Sequence, residues 1–388
     1  MKRLLLCLAA LCLLMAPALA EAPAASLTIA VVDESAQTPP LHVDDESFLR
    51  WLEPLLTADG PAVEPAPLMP AHHRLLVTFT AEDGSQAEYA LWHDTLYEEA
   101  TVTHPDGTTR AIDPAVPALL FDAAHDEASF AVPEAHRALL AESGWTAVYR
   151  VPQQSASLPE ALEASRTDAA ALYFTYADLF LQGGGYDITP FLGKTVTPHV
   201  YRVYERVNRI VWRPKDIRLL DENGEGGVMY DMQAVLLECG GQLIGAYLRA
   251  VSWDAADMMS LDRRGPIELL GDMSIRDYLL SKLPVTQEEE ALAALTAEEV
   301  VRQYASVHDP RLTAIERVLA TLSPLGTDSL FLPIEVRSSG ETPLSVQPVD
   351  TAPGFYEVRL GDWTYYPEVA LESPQTGWKI MSFYNTGL

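Results

Sequence analysis

Two apolar runs on either side of Gly240-Gly241 form the clearest pattern of hydrophobic and polar positions in the chain. A glycine pair can adopt the positive φ values that a two-residue hairpin turn requires. Such a turn places Leu237 opposite Ile244, and the alternation of side chains along a strand then sorts the residues onto two faces. The predicted apolar face carries Val235, Leu237, Ile244, Ala246 and Leu248. The predicted mixed face, expected to be partly in contact with solvent, carries Met232, Glu238, Tyr247 and Arg249.

A helix is predicted upstream of this hairpin, over residues 167–182, with Gly183 as the residue that ends it. Apolar and aromatic side chains occupy most of its circumference, which favours burial against the sheet. The helix is shorter than the roughly 20 apolar residues that a bilayer span needs, and it contains Asp178. Residues 200–205 and 216–221 are predicted as further strands of the same sheet.

The rest of the chain alternates between strand and helix patterns of ordinary length. A capping box at Thr296-Ala297-Glu298-Glu299 starts a helix over 296–307, a second helix is predicted over 311–322, and only strand patterns come after them. These elements predict an α+β protein of two or three small domains, built on antiparallel sheets with packed helices. The predicted divisions are a signal peptide at 1–20, an N-terminal α+β domain at 21–150, a central helix-plus-antiparallel-sheet domain at 151–284, a connector at 285–295 and a C-terminal α+β domain at 296–388.

Residues 183–261 resemble an uncharacterised domain of exported proteins of Gram-positive bacteria. The residues that carry the resemblance are Gly185-Tyr186-Asp187-Ile188-Thr189-Pro190, Gly193-Lys194, Tyr201, the Gly-x-(Leu/Val)-Ile-Gly pattern at 241–245, and Asp257 with Met258 or Met259. A long insert at 206–227 departs from the pattern of that family. The resemblance implies an extracytoplasmic location and a similar fold, and it implies no catalytic residue.

The C-terminal residues 296–388 resemble the cone-shaped fold of nuclear-transport-factor-like and cystatin-like domains. The resemblance rests on the order of the elements and on the final strand with Gly377-Trp378-Lys379-Ile380, and it implies no activity, because that fold hosts both enzymes and binding modules. Aromatic residues crowd the predicted sheet, and a curved sheet would let them line an apolar pocket. The candidate ligand-binding residues are Trp363, Tyr365, Tyr366, Trp378 and Tyr384. The alternative is that these rings fill the core of a small domain.

The first 20 residues have the three parts of a secretory signal peptide. Met1-Lys2-Arg3 is basic, residues 4–15 are apolar, and Ala18-Leu19-Ala20 offers small residues for cleavage between Ala20 and Glu21. We therefore expect a secreted or cell-surface protein, with retention of this segment as an uncleaved anchor as the alternative. No later segment is predicted to cross a membrane.

The charge of the chain excludes some classes of partner. With 26 Lys and Arg against 55 Asp and Glu, the net charge is −29, and nucleic acids and anionic lipid headgroups both require positive charge for most of their affinity. We expect these charged residues to be scattered over the surface, where they keep an exported protein soluble. Cleavage would leave Cys239 as the only cysteine, so the sequence predicts no intrachain disulfide.

Histidine and cysteine could form a metal site or supply a nucleophile. Six of the nine histidines lie between residues 72 and 136, and imidazole is a common zinc ligand. Their spacing matches no paired ligand motif, so the sequence predicts neither a metal nor a cofactor. The histidines predicted to lie on the surface are His72, His73, His93, His104, His125 and His136. Cys239 is predicted to be a packed thiol at a strand end rather than a nucleophile.

Other catalytic patterns also fail. The glycines at 183–185 with Gly193-Lys194-Thr195 do not form a phosphate-binding loop, because Ile188 stands where the motif requires glycine. The chain has no Gly-x-Ser-x-Gly elbow. Acidic pairs such as Asp254 and Asp257 cannot be distinguished from a generally acidic surface. The run Glu288-Glu289-Glu290 is predicted to be a solvated helix face.

The sequence therefore favours a non-enzymatic binding or accessory protein of the cell envelope, with an unidentified ligand and an open oligomeric state. The alternative is an extracytoplasmic hydrolase that acts on cell-wall polymer or peptide. The convergence of two carboxylates, or of a carboxylate and a histidine, in one cleft would favour the enzyme. A sheet face lined only by aromatic residues would favour the binding protein.

Overall fold

A computed structural model of the chain describes residues 24–32, 39–58, 60–63, 72–94, 99–125, 128–208, 229–251, 258–307, 309–320, 345–360 and 363–384. The chain divides into two compact units, one up to Ala131 and one from Val132. Both units combine helices with antiparallel sheets. The predicted α+β class is confirmed.

The first unit contains a six-stranded antiparallel sheet in the order β2-β1-β3-β4-β5-β6. Its elements are β1 (Ala24–Val31), β2 (Leu41–Val43), α1 (Glu46–Thr57), β3 (His72–Ala81), β4 (Gln86–Asp94), β5 (Glu99–Thr103), β6 (Thr109–Ala111) and α2 (Ala115–His125). Asp45 caps α1 by accepting a hydrogen bond from the Phe48 amide at 2.8 Å. The helix continues through Pro54.

The second unit begins with a sheet in the order β14-β13-β12-β9-β7. The elements of this part are α3 (Glu134–Glu142), β7 (Ala147–Val151), β8 (Ala156–Ser157), α4 (Ala169–Gly183), β9 (Thr195–Val203), β10 (Val207–Asn208), β11 (Met229–Tyr230), β12 (Met232–Cys239), β13 (Gln242–Ala250) and β14 (Met258–Ser260). The N-terminal domain predicted at 21–150 includes α3 and most of β7. In the structure β7 pairs with β9, so this strand belongs to the central sheet.

Both faces of the central sheet are buried. α4 covers one face, where Phe174, Phe180, Val235 and Leu237 pack together. Trp145 and α3 cover the other face, where Leu140, Leu236 and Leu248 meet. The predicted mixed, partly solvated face is therefore wrong, since Met232 and Tyr247 are fully buried.

A β-bulge explains why the predicted register of the hairpin fails. The two-residue turn is correct, because Cys239 pairs with Gln242 and Glu238 with Leu243. A register shift between Leu237 and Glu238 then moves every pair farther from the turn by one position, so that Leu237 lies opposite Gly245. One extra residue in a strand exchanges the two faces for all residues beyond the bulge. Ala246 and Leu248 therefore face α3 rather than α4.

Gly245 has a packing role in this hairpin. A Cβ atom added there would lie 2.6 Å from Leu181 Cδ2 of α4, which is closer than real Cβ contacts. The absence of a side chain at residue 245 therefore lets α4 approach β13 closely. Gly241, at the other end of the resemblance motif, has φ +79° in the turn. The motif thus contains one glycine that the turn needs, Gly241, and one that close packing needs, Gly245.

The remainder of the second unit carries short helices and a four-stranded antiparallel sheet in the order β15-β16-β17-β18. Its elements are α5 (Pro266–Leu270), α6 (Ile275–Lys282), α7 (Gln287–Ala293), α8 (Ala297–Val307), α9 (Ile315–Ala320), β15 (Ser345–Pro348), β16 (Tyr356–Leu360), β17 (Trp363–Ser373) and β18 (Gly377–Tyr384). The predicted capping box is present, with the Thr296 amide donating to Glu299 Oε2 at 2.8 Å. The strand predicted at 216–221 lies outside the described residues.

Candidate functional site

Two histidines, a tyrosine and a glutamate meet on the face of the central sheet that α3 covers. His136 comes from α3, His199 and Tyr201 from β9, and Glu238 from β12. Because β9 and β12 are neighbours and side chains alternate along each strand, His199, Tyr201 and Glu238 share one face. We call these four residues the histidine cluster.

The contacts within the histidine cluster are short. Nδ1 of His136 lies 2.7 Å from the hydroxyl of Tyr201, and Nε2 lies 3.1 Å from Glu238 Oε1. Nε2 of His199 lies 3.0 Å from Glu238 Oε2, within ion-pair distance but without the alignment of a good hydrogen bond. The glutamate side chain keeps 26% of its surface exposed, against 9% for His136. One carboxylate thus bridges two imidazoles near the surface.

This environment moves the pKa values of two members of the cluster. Partial burial raises the pKa of Glu238, but the contacts with His199 and His136 outweigh it, so the pKa lies below its ordinary value. Burial raises the pKa of Tyr201 to about 12, helped by Glu238 and opposed by Arg150. Glu238 is therefore ionised at neutral pH and Tyr201 is a neutral phenol. A neutral phenol is a poor nucleophile, so Tyr201 is not suited to that role.

In the cluster, the polar atoms of His136 and Glu238 are engaged by other members. Both nitrogens of His136 and both oxygens of Glu238 have protein partners. Both nitrogens of His199 are buried from solvent, and its Nδ1 has no hydrogen-bond partner within the described part of the chain. Among the described residues, no group of three or more His, Cys, Asp or Glu side chains is arranged to hold a metal ion. The geometry is that of a clamp between α3 and the sheet.

The prediction that the histidines lie on the surface is wrong for two of them. His136 is 7% exposed and His93, which lies within β4, is 4% exposed. His125 is exposed as expected, and His104 is half-buried after β5. The side chains of His72 and His73 lie outside the described residues. No local spacing reveals the cluster, because His136 and Glu238 are 102 residues apart.

A second polar cluster lies fully inside the second unit. Arg166 donates from Nε to Glu289 Oε1 at 3.1 Å, from Nη1 to the carbonyl oxygen of Thr313 at 2.6 Å, and from Nη2 to Glu372. Lys379 lies 3.3 Å from Glu289 Oε2. We call Arg166, Glu289, Glu372 and Lys379 the buried ionic network. Their side chains are between 0% and 6% exposed.

The buried ionic network is balanced and its members have several partners. It contains two cations and two carboxylates, and Glu372 Oε1 also accepts from the Ile315 amide at 2.9 Å. Lys379 also donates to the carbonyl oxygen of Arg311. Burial, and then Arg166, lower the pKa of Lys379, while the glutamates oppose this change. The network ties α7 and the β17–β18 hairpin to the segment before α4.

Two sequence-based expectations fail in this network. Charged residues were expected to be scattered over the surface, yet four of them form a buried group. The run Glu288-Glu289-Glu290 was expected to be a solvated face, but Glu289 is 4% exposed and pairs with two cations. The helical repeat explains this difference, because one residue of three consecutive ones faces inward. The candidate pair Asp254 and Asp257 lies outside the described residues.

The five aromatic candidates of the C-terminal sheet occupy different environments. Tyr365 is 1% exposed and packs in the core under α8, and Trp378 is half-buried against that core. Tyr366 is half-buried, with its hydroxyl 3.4 Å from Glu357 Oε2. The side chains of Trp363 and Tyr384 lie outside the described residues. The binding role of these five residues stays a prediction.

Cys239 also lies where the sequence suggested. The thiol is half-buried at the end of β12 and packs against the core beneath α4. In the described residues, no helix is both long and apolar enough to cross a bilayer.

Comparison with known families finds a match over residues 139–248 to a model described as a domain of unknown function (DUF4830). Neither the curated proteins nor the solved structures give a match. The matched residues include three of the four members of the histidine cluster, and they overlap the segment 183–261 that the sequence singled out. They begin inside α3 and end within β13. Residues 139–248, less than a third of the chain, are thus similar to a domain of unknown function.

Proposed function

We propose that this chain is an exported, non-enzymatic binding or accessory protein of the bacterial cell envelope. The basic and apolar start of the sequence, with small residues before Glu21, supports export. The resemblance of residues 183–261 to exported proteins of Gram-positive bacteria supports the envelope. The acidic composition, with 55 Asp and Glu against 26 Lys and Arg, supports a partner other than nucleic acid.

One observation carries the non-enzymatic part of the proposal. Where a carboxylate and two histidines converge, the reactive atoms of His136 and Glu238 are already bonded to protein groups. A general base must reach a substrate proton, and a nucleophile must reach a substrate atom. The cluster instead joins α3 to two strands, which is a structural role.

An extracytoplasmic hydrolase of wall polymer or peptide is the second candidate. The same convergence favours it, because a tyrosine, two histidines and a glutamate in contact resemble a proton relay. Catalysis would require the cluster to open, so that an imidazole nitrogen faces solvent. The partly exposed edge at Glu238 is the place where such opening would begin.

The C-terminal residues 296–388 form, in this proposal, a cone-like binding domain. α8 packing over the four-stranded antiparallel sheet supports the comparison with nuclear-transport-factor-like and cystatin-like folds. Of the aromatic candidates whose side chains the structure describes, Tyr366 is taken as the ligand contact, since Tyr365 is part of the core. Replacement of Tyr366 by alanine is expected to weaken ligand binding while leaving the melting temperature nearly unchanged.

The experiment that tests the function combines binding and turnover. The purified chain is incubated with wall fragments, peptides, sugars and divalent metals, and thermal shift and product analysis are read on the same samples. We expect a thermal shift with an envelope ligand that is recovered intact. Cleavage of a wall polymer that is lost in E238Q, but kept in the exposed-site control E298Q, would establish the hydrolase instead.

A further inference from the structure

A row of polar side chains crosses the other face of the central sheet, beneath α4. Arg202 on β9, Gln233 on β12 and Arg249 on β13 are direct cross-strand partners. They share a face with Val235 and Tyr247, two residues along the strands, which pack under α4. We call Arg202, Gln233 and Arg249 the arginine row. It lies one residue from the end of each of the three strands, at one end of the sheet.

Within the described part of the chain, Arg249 is the arginine of this row that has no acidic partner. It is 5% exposed, and its Nε donates to the neutral Gln233 Oε1 at 2.9 Å. Its Nη1 is buried and has no hydrogen-bond partner among the residues that the structure describes. The residue opposite it on β14 is the apolar Met258. A buried guanidinium without an anion is costly, and native proteins rarely keep one unless something pairs with it.

The surroundings of Arg249 favour a negative group. Arg202 is 1% exposed and stands 4.0 Å from Asp231, which also pairs with Arg206 Nε at 2.8 Å. In the described residues, Arg202 and Arg206 therefore share one carboxylate at this end of the sheet, although the chain as a whole carries a net charge of −29. Beside the row, the hydroxyls of Tyr173 and Tyr247 lie 2.7 Å apart and add polar atoms under α4.

We propose that Arg249, supported by Gln233 and Arg202, binds an oxyanion group of a ligand, a carboxylate or a phosphate. The planar guanidinium presents parallel N–H donors that match two oxygens of such a group, which an ammonium does not. Gln233 holds Nε and so orients the fork, while Arg202 adds positive potential. This site is distinct from the histidine cluster, which occupies the opposite face.

The test is isothermal titration of the purified chain with phosphate and, separately, with acetate, at constant ionic strength against chloride. For ligands of four or five heavy atoms we expect dissociation constants of about 0.05–5 mM. Replacing Arg249 by methionine is expected to weaken binding at least about tenfold, because a charged hydrogen bond is lost. Binding of one anion and not the other assigns the site to phosphate or to carboxylate ligands, and binding of both leaves the oxyanion site established.

Two further variants keep the test decisive. R302M removes the same charge from an exposed position on α8 and is expected to bind as the wild type does. R249K keeps the charge but lacks the parallel N–H donors of the guanidinium, and is expected to bind the anion with intermediate affinity. This variant tests the proposal if R249M fails to fold. Absence of saturable binding of either anion, or equal affinity in R249M or R249K and the wild type, would overturn the proposal. That result would not bear on the proposed function, because the titrations use phosphate and acetate and do not involve the envelope ligand.

Discussion

The substitution E372Q tests how much the buried ionic network contributes to the free energy of unfolding. The Glu372 side chain is fully buried, accepts a hydrogen bond from the Ile315 amide at 2.9 Å and pairs with Arg166. Glutamine has nearly the same shape and can still accept from that amide, so the change isolates the charge. Arg166 and Lys379 would then share Glu289 as their remaining carboxylate within the network.

The structure sets the expected size of this effect. Removing one partner of a buried ion pair leaves an uncompensated charge and costs about 3–5 kcal/mol of unfolding free energy. For a unit of this size such a loss lowers the melting temperature by roughly 6 to 20 °C. The matched control E298Q breaks the exposed pair with Arg302, whose side chains are 47% and 49% exposed, and is expected to cost about 0.5 kcal/mol or less.

The assay is differential scanning calorimetry at pH 7, in which the unfolding transition of the second unit is expected to shift to lower temperature. The double variant R166M/E372Q restores the charge balance, because Lys379 and Glu289 remain paired. We therefore expect it to cost less than the sum of the two single variants. An E372Q protein whose unfolding free energy stays within about 1 kcal/mol of the wild type, or strict additivity in the double variant, would refute the reasoning.

Three further predictions concern single sites. The pKa of Glu238 is lowered in the folded state. The stabilisation that ionised Glu238 contributes is therefore complete above its ordinary pKa of 4.5 and is lost as the pH falls through the lower folded value. The unfolding free energies of the wild type and E238Q, measured in urea titrations, should therefore converge as the pH is lowered below 4.5. Burial raises the pKa of Asp178, so its ionised form is disfavoured in the folded state, and D178N should melt higher than the wild type at pH 7 but not at pH 3. Gly377 has φ +78° and an added Cβ would lie 2.5 Å from Ala293 Cα, so G377A should lose about 1–3 kcal/mol in the same melting assay, and an unchanged melting temperature would contradict the packing seen there.

Local patterns predict the elements of this protein well. The apolar helix 167–182, the two-residue turn at Gly240-Gly241 and the capping box at Thr296 are all present, because each depends on neighbours in sequence. The register of the hairpin could not be predicted, since the bulge after Leu237 has no sequence signature. Its consequence is large, because it sends Ala246 and Leu248 to the face under α3.

The polar clusters are beyond such reasoning for a different physical reason. Arg166 and Glu372 are 206 residues apart, and His136 and Glu238 are 102 apart. Each residue taken alone has the pattern of an ordinary surface charge. Tertiary pairing makes their burial possible, and the sequence contains no periodic trace of it. Glu289 illustrates this, since its two acidic neighbours along the chain differ from it only in the direction they face.

The structural role of the histidine cluster is tested most directly by native-state hydrogen exchange of α3 in E238Q. If Glu238 clamps His136 and His199 to hold this helix on the sheet, its loss costs about 1.5 kcal/mol, and the amides of residues 134–142 exchange about tenfold faster than in the wild type. Exchange in α3 within about twofold of the wild type would contradict the clamp and make the cluster a catalytic candidate again.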